Sequence, residues 1–332
     1  MKTVTGLLLA GALTFTPAAG QTTYKLPPKE VVDILDAPPT PGVIVSPARN
    51  AMMLVDYQPN PSLEFIAQPI LRIAGIRISP ALSARQRITQ YTGLRIKHFA
   101  SKKEITVALP KKSNIGIPVW SFDGTKAAFT RDLKNGVELW VVDARTGKAH
   151  ALPGIHVNDV IDVPFEWMSD NRTLLVRSIA PSRGKTPKPP LVPAGPNVEE
   201  TFGKVSKTAT YQDLLKSPFD EVLFEYYATT QLALVNSSTG KSTPLGTPGM
   251  YMSAEFSPDE RFVLVTKLEH PFSYRVPYDD FARSVDVWDR KGTLVKTIAK
   301  FPVTDEIPTQ GVQTGPRNVM WQPLVDAKLV WV

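Results

Sequence analysis

The chain has 332 residues, enough for one large or two medium domains around a substantial core. It has no cysteine, which excludes disulfides, thiol catalysis and cysteine-ligated zinc. Its net charge of +7 comes from scattered residues such as Lys102-Lys103, Lys111-Lys112, Arg183, Lys185 and Lys188. There is no basic stripe with interleaved aromatics, so no nucleic-acid surface is indicated.

Met1-Lys2 is a short positive start, and residues 3–16 are uncharged and mostly apolar around Leu7-Leu8-Leu9-Ala10. Pro17-Ala18-Ala19-Gly20 is a small-residue end. This layout predicts a secretory signal peptide over residues 1–20, cleaved after Gly20, and an exported, periplasmic or extracellular protein. The apolar run is short for a membrane span, so no membrane attachment is expected after cleavage. Residues 21–42 read as an extension. Pro27-Pro28 opens a short helix there and Pro38-Pro39 closes it, with Val31, Val32, Ile34 and Leu35 as its apolar face.

From residue 43 one hairpin pattern recurs. An aromatic strand end meets a turn of Ser, Pro, Asp, Gly or Asn, and a strand rich in Val, Leu and Phe follows. It occurs at Val119–Thr130, Phe165–Arg177 and Ala254–Thr266, with a weaker copy at Val43–Val55. Asp-Gly and Asp-Asn accept the positive φ of tight hairpin turns. Outer strand pairs follow at Val137–Leu152, Gln231–Leu245 and Val285–Thr297, each joined through an Asp or Asn and a Gly. Four short strands per repeat predict the blades of an all-β propeller, four or five of them over residues 43–332.

Residues 178–204 break this rhythm with a long Pro-rich loop carrying Arg183, Lys185 and Lys188, and a short helix is expected at Ala209–Lys216. A loop of this length is functional or disordered. Its three cations are the candidate contacts for an acidic substrate. At the C-terminus, Asn318–Pro323 and Lys328–Val332 begin another hairpin, and the chain reads as an incomplete propeller, cut inside that unit.

Chemical motifs are sparse. No Gly-x-Ser-x-Gly elbow occurs, so no serine is presented as a nucleophile of the α/β-hydrolase type. His98, His150, His156 and His270 fall in no metal or catalytic spacing. Asp123, Asp170 and Asp259 sit at hairpin turns, where Asp bonds its own backbone, and are read as turn residues and not as calcium ligands. No cofactor, metal or catalytic residue is assigned to this chain.

Longer motifs carry a family resemblance. The run from Tyr24 to Pro41, Leu71-Arg72-Ile73-Ala74-Gly75-Ile76-Arg77-Ile78 and Tyr91-Thr92-Gly93 resemble glutamyl-endopeptidase-like members of the prolyl oligopeptidase family of serine peptidases. So do Ala180–Gly184, Pro190–Pro196, Asp213–Lys216 and Tyr226–Leu232. The resemblance implies an N-terminal propeller, seven-bladed in the family, that lids a C-terminal α/β-hydrolase bearing the catalytic serine. That hydrolase is expected to be absent from this chain. The implied role is to gate and select peptides for it, the chain alone being inactive. A stand-alone periplasmic propeller serving as a binding scaffold is the alternative.

Overall fold

A computed structural model describes residues 25–192, 195, 211–307 and 311–332. The predicted signal peptide and residues 209–210 of the expected helix lie outside the described residues. Two compact units are separated at Pro38. In the first, α1 (Lys29–Leu35) begins after Pro28, and Lys29 pairs with Asp33 one turn on. The expected apolar face is present in sequence, but none of its residues is buried.

The second unit, Pro39–Val332, is built from antiparallel sheets in chain order. β1 (Gly42–Val45) and β2 (Ala51–Gln58) form the first hairpin. After α2 (Leu63–Ile66) the chain makes a separate three-stranded sheet, β3 (Leu71–Ile73), β4 (Ile76–Ser79) and β5 (Ala84–Arg85). It then returns with β6 (Gln90–His98) and β7 (Glu104–Thr106) to complete a four-stranded blade. The second blade is β8 (Val119–Trp120), β9 (Lys126–Leu133), β10 (Gly136–Asp143) and β11 (Ala149–Ala151). The third is β12 (Phe165–Trp167) and β13 (Thr173–Ile179) and, after α3 (Pro218–Ala228), β14 (Thr230–Asn236) and β15 (Ser242–Gly249). The fourth is β16 (Tyr251–Phe256), β17 (Phe262–Leu268), β18 (Arg283–Asp289) and β19 (Leu294–Phe301). β20 (Met320–Trp321) and β21 (Leu329–Val330) form a two-stranded fifth sheet.

Period-two alternation shows how the sheets stack. On β9, Ala127 and Phe129 enter a core shared with Met53, Leu94 and Ile96 of the first blade. Ala128, between them, enters a core with Phe165, Trp167, Leu174 and Val176 of the third. On β13, Leu175 turns the other way, to Val263, Val265 and Trp288 of the fourth. Leu264, Val285 and Val287 then meet Trp321 of the fifth sheet. Both faces of the middle strands are buried, which is why they read as continuous apolar runs. Consecutive four-stranded meanders stacked face to face in chain order are the blades of a β-propeller.

The turns follow their residues. Asp123, Asp170 and Asp259 each accept backbone N–H bonds from two residues ahead, at 2.8–3.2 Å. The positive φ falls on Gly124, Asn171 and, against its poor propensity, Glu260. A second recurring bond ties blade to blade. Trp120 donates its indole N–H to the carbonyl of Ile44 at 3.1 Å, Trp167 to Val119 at 3.0 Å and Trp321 to Glu255 at 3.0 Å. Each acceptor lies on the first strand of the preceding sheet.

The helix expected at Ala209–Lys216 is not there: described residues 211–216 are irregular, and the helix starts at Pro218. Ser217 accepts a bond from Asp220 N–H, Asp220 bonds back to Ser217 N–H, and Pro218 fills the first helical position. This reciprocal cap fixes the start there.

Candidate functional site

In an up-and-down blade the turns joining strands one to two and three to four leave one edge. The turns joining two to three, and the exits to the next blade, leave the opposite edge. The long excursions all take the second route. β3–β5 joins the second and third strands of the first blade, the basic loop with α3 those of the third, and residues 269–282 those of the fourth. In the second blade the same connection is a tight turn at Gly136, whose φ is +139°. Three insertions therefore emerge on one face and build an accessory platform there.

The platform has its own core. Ile73, Ile76 and Ile78 from the first insertion pack with Leu223, Phe224 and Tyr227 of α3, and with Phe272, Val276 and Phe281 from the fourth blade. Phe224 is the centre: its ring meets Phe272 edge-on at 5.4 Å and Phe281 at 5.7 Å. Asn158, 1 % exposed, donates to the carbonyls of Tyr227 at 2.8 Å and Thr229 at 3.1 Å, which fastens the end of α3 to the segment linking blades two and three. The tip of the β3–β4 hairpin turns through Ala74 and Gly75, both at positive φ. Gly75 N–H bonds Asp213 O, Tyr278 N–H bonds Ala74 O, and a side chain at Gly75 would collide with Pro277.

Polar groups line the platform. A cleft of about 460 Å³ is bounded by Arg77, Arg85, Tyr211, Asp213, Tyr278 and Asp279. Arg77 donates to Asp213 at 2.8 Å; Arg85 donates to the carbonyl of Ile161 at 3.1 Å and to Tyr278 Oη at 2.9 Å. Arg87 forms a two-pronged pair with the buried Asp159, and that hydrogen bonding raises its pKa. Near it, burial pushes the Asp132 carboxyl up to about 6, against a 2.6 Å bond from the Asn114 amide that pulls it down.

Arg183 is half-buried. Its guanidinium lies 4.1 Å from the Tyr226 ring centre and 4.9 Å from that of Tyr227, and donates to Ser83 Oγ at 3.0 Å. Desolvation lowers its pKa, and its buried Nε–H has no partner among the described residues. Tyr226 also bonds Gly184 O, at 3.3 Å, so the loop is held to α3 at the arginine and at the residue after it. Lys185 and Lys188 are exposed, with no ion pair among the described residues. The structure thus brings Arg183 into the platform and leaves the two lysines on its rim. Arg77, Arg85, Arg87 and Asp213 were missed as site residues, although Arg77 and Asp213 lie in motifs of the family resemblance. Their common signal, a charge inside an insertion between second and third strands, is visible only once the strands are counted into blades.

Two of the four histidines have side-chain partners. His98 bonds Ala144 O at 3.0 Å, and His270 lies 3.4 Å from a Glu225 oxygen with its ring on Phe272. No serine hydroxyl among the described residues bonds a histidine. What this face offers is guanidinium donors, tyrosine hydroxyls and a polar cleft, which suit peptide carbonyls and carboxylates.

The class defined by this fold and face is a β-propeller with an accessory platform. No family profile matches the chain. It is 35 % identical over 326 residues to the rice (Oryza sativa subsp. japonica) protein named "Probable glutamyl endopeptidase, chloroplastic", a match covering 93 % of this chain and 34 % of that protein. It is 38 % identical over 318 residues to the Arabidopsis thaliana protein of the same name, covering 91 % and 33 %. The chain is similar to these glutamyl-endopeptidase-like proteins along nearly all of its own length, and spans about a third of theirs. Among solved structures, the β-propeller domain of the trilobed protease from Pyrococcus furiosus aligns over 79 % of this chain and 58 % of that one, at 12 % identity and a TM-score of 0.40. An acylaminoacyl peptidase aligns over 79 % and 33 %, at 13 % identity and a TM-score of 0.42. Among the described residues no helix is long and apolar enough to cross a membrane.

Proposed function

We propose that this chain is the non-catalytic propeller part of a serine peptidase, selecting peptides for an α/β-hydrolase domain that the platform face meets. The supporting observation is the collection of three insertions on one face, in a chain that matches glutamyl endopeptidases over nearly all its length. A propeller needs no such platform to be stable; a surface that receives a partner domain and its substrate does. Within it, Arg183 fixes the basic loop through Tyr226, Tyr227 and Ser83, and Lys185 and Lys188 offer their charge to acidic peptides. A charge-assisted bond to a shielded substrate carboxylate contributes on the order of 1–3 kcal/mol.

The test compares matched Glu and Gln chromogenic peptides in the complete enzyme. Replacing Lys185 and Lys188 together by Gln should raise KM about tenfold for the Glu substrate and leave the Gln substrate within about twofold, since 1.4 kcal/mol is a factor of ten. Arg183→Ala, which frees the loop from its tyrosines, should raise KM for both, more for Glu. Equal effects of the double lysine variant on both peptides would remove the loop from recognition. Export is part of the same proposal, and rests on residues 1–20 alone; N-terminal sequencing of the exported protein should begin at Gln21.

A further inference from the structure

Residues 71–87, the first insertion, hold four arginines and no Asp or Glu. Arg85 is committed to main-chain carbonyls and Tyr278, and Arg87 to Asp159. The other two, Arg72 and Arg77, stand directly opposite each other on β3 and β4. Ile73, Ile76 and Ile78 enter the platform core, so alternation turns Arg72 and Arg77 together onto the opposite face. Side chains opposed in this way lie about 4.5–5.5 Å apart at Cβ, and like charges so placed destabilise a sheet.

The pair cannot part by a slip in register, because the tip of the hairpin is held on both sides. Gly75 N–H bonds Asp213 O and Tyr278 N–H bonds Ala74 O, each at 2.9 Å. One carboxylate serves the pair: Asp213, its side chain 14 % exposed, accepts from Arg77 Nε at 2.8 Å. Arg72 is exposed and has no hydrogen bond or ion pair among the described residues. Gln86, whose N–H bonds the Arg77 carbonyl at 2.8 Å, continues the row, and the cleft of about 460 Å³ opens beside Arg77, Gln86 and Asp213. The turn between β4 and β5 holds Ser83, to which Arg183 ties the basic loop, so this row and the two lysines are carried by one sheet.

On the reading that this face receives acidic peptides, we propose that Arg72, Arg77 and Gln86 form a second carboxylate subsite, which takes a further acidic side chain of the peptide that Lys185 and Lys188 meet. Arg77 keeps its Nε on Asp213, and its Nη groups, with no partner among the described residues, face the ligand. Arg72 supplies a whole guanidinium. A carboxylate between the two accepts charge-assisted bonds and cancels the cross-strand repulsion, so it gains more here than at a lone surface arginine. A neutral residue at position 72 would make the more stable hairpin; the like-charge pair suits a site that its ligand completes. The pinned tip sets both arginines in register before the peptide arrives, which lowers the cost of ordering them.

Titration and scanning calorimetry of the full chain at low ionic strength, with hexaglutamate and hexaglutamine peptides as probes, test this. The native chain should bind hexaglutamate and not hexaglutamine. Arg72→Gln should weaken hexaglutamate binding about tenfold, the loss of one charge-assisted bond. It should also raise the melting temperature of the free chain by about 1–2 °C, because the cross-strand repulsion is gone. Arg72→Glu, which pairs with Arg77, should raise that temperature further and weaken binding more. An Arg72→Gln chain that binds hexaglutamate as the native chain does, or that melts lower, would overturn the subsite. If binding is then still lost on replacing Lys185 and Lys188 by Gln, the acidic-peptide face stands without the subsite; if the native chain does not bind hexaglutamate, both fall.

Discussion

At the scale of single residues, the aromatic ends of the first strands do more than fill the core. The sequence marks them as a recurring aromatic, but their bonding is invisible until the blades are stacked, because each acceptor lies 48–76 positions earlier in the chain. Trp167→Phe keeps most of the buried surface and removes only the donor to Val119. It should cost about 1 kcal/mol, the usual net worth of one such bond, and lower the melting temperature by about 2–4 °C; calorimetry on the native and variant chains checks it. Asp132 gives a pH prediction of definite sign. Its carboxyl is raised to about 6 from 3.8, so the stabilisation linked to its bound proton is complete below about pH 4 and lost as the pH rises through 6. Asp132→Asn should flatten the decline in stability between pH 4 and 7, by about 1–3 kcal/mol. A native and a variant chain with parallel pH profiles would place the decline elsewhere.

At the scale of elements, the hairpins were legible and the platform was not. The strands announce themselves through continuous apolar runs bounded by Asp, Gly and Asn, because both of their faces are buried within a few residues' reach of the turn. The helix was misplaced because Tyr211, Leu214 and Leu215 suggest a helical face, whereas Ser217-Pro218 with Asp220 supplies the stronger start signal two residues later. Nothing local tells Phe224 that its partners are Phe272 and Phe281, some fifty residues away on another blade's insertion. Phe224→Ala should therefore cost about 3–5 kcal/mol, the range for emptying a buried aromatic site. It should loosen three insertions at once while the blades persist. Proteolysis would show this as new cleavage within residues 211–228 and 269–282, with the strands of the blades still protected; unchanged digestion would mean that the platform does not depend on this ring.

For the whole molecule, sequence reading reached the propeller and the likeness to glutamyl endopeptidases, and it reached the loop that carries Arg183. It did not reach the reason that loop matters, which is topological: insertions that follow the second strand of different blades are forced onto one face. The sequence offers Arg183 as a candidate contact for an acidic substrate; the fold makes it a clamp between α3 and the β3–β5 sheet, and leaves Lys185 and Lys188 as the outward charges. We propose that this face receives acidic peptides. It is tested most directly by photo-cross-linking the full chain to a Glu-rich peptide bearing a photoreactive leucine, with a Gln-rich peptide as control and adducts mapped by mass spectrometry. Glu-dependent adducts are expected to be confined to residues 71–87, 180–192, 211–228 and 269–282. Adducts spread over the outer strands β7, β11, β15 and β19, or equal labelling by the Gln peptide, would contradict it.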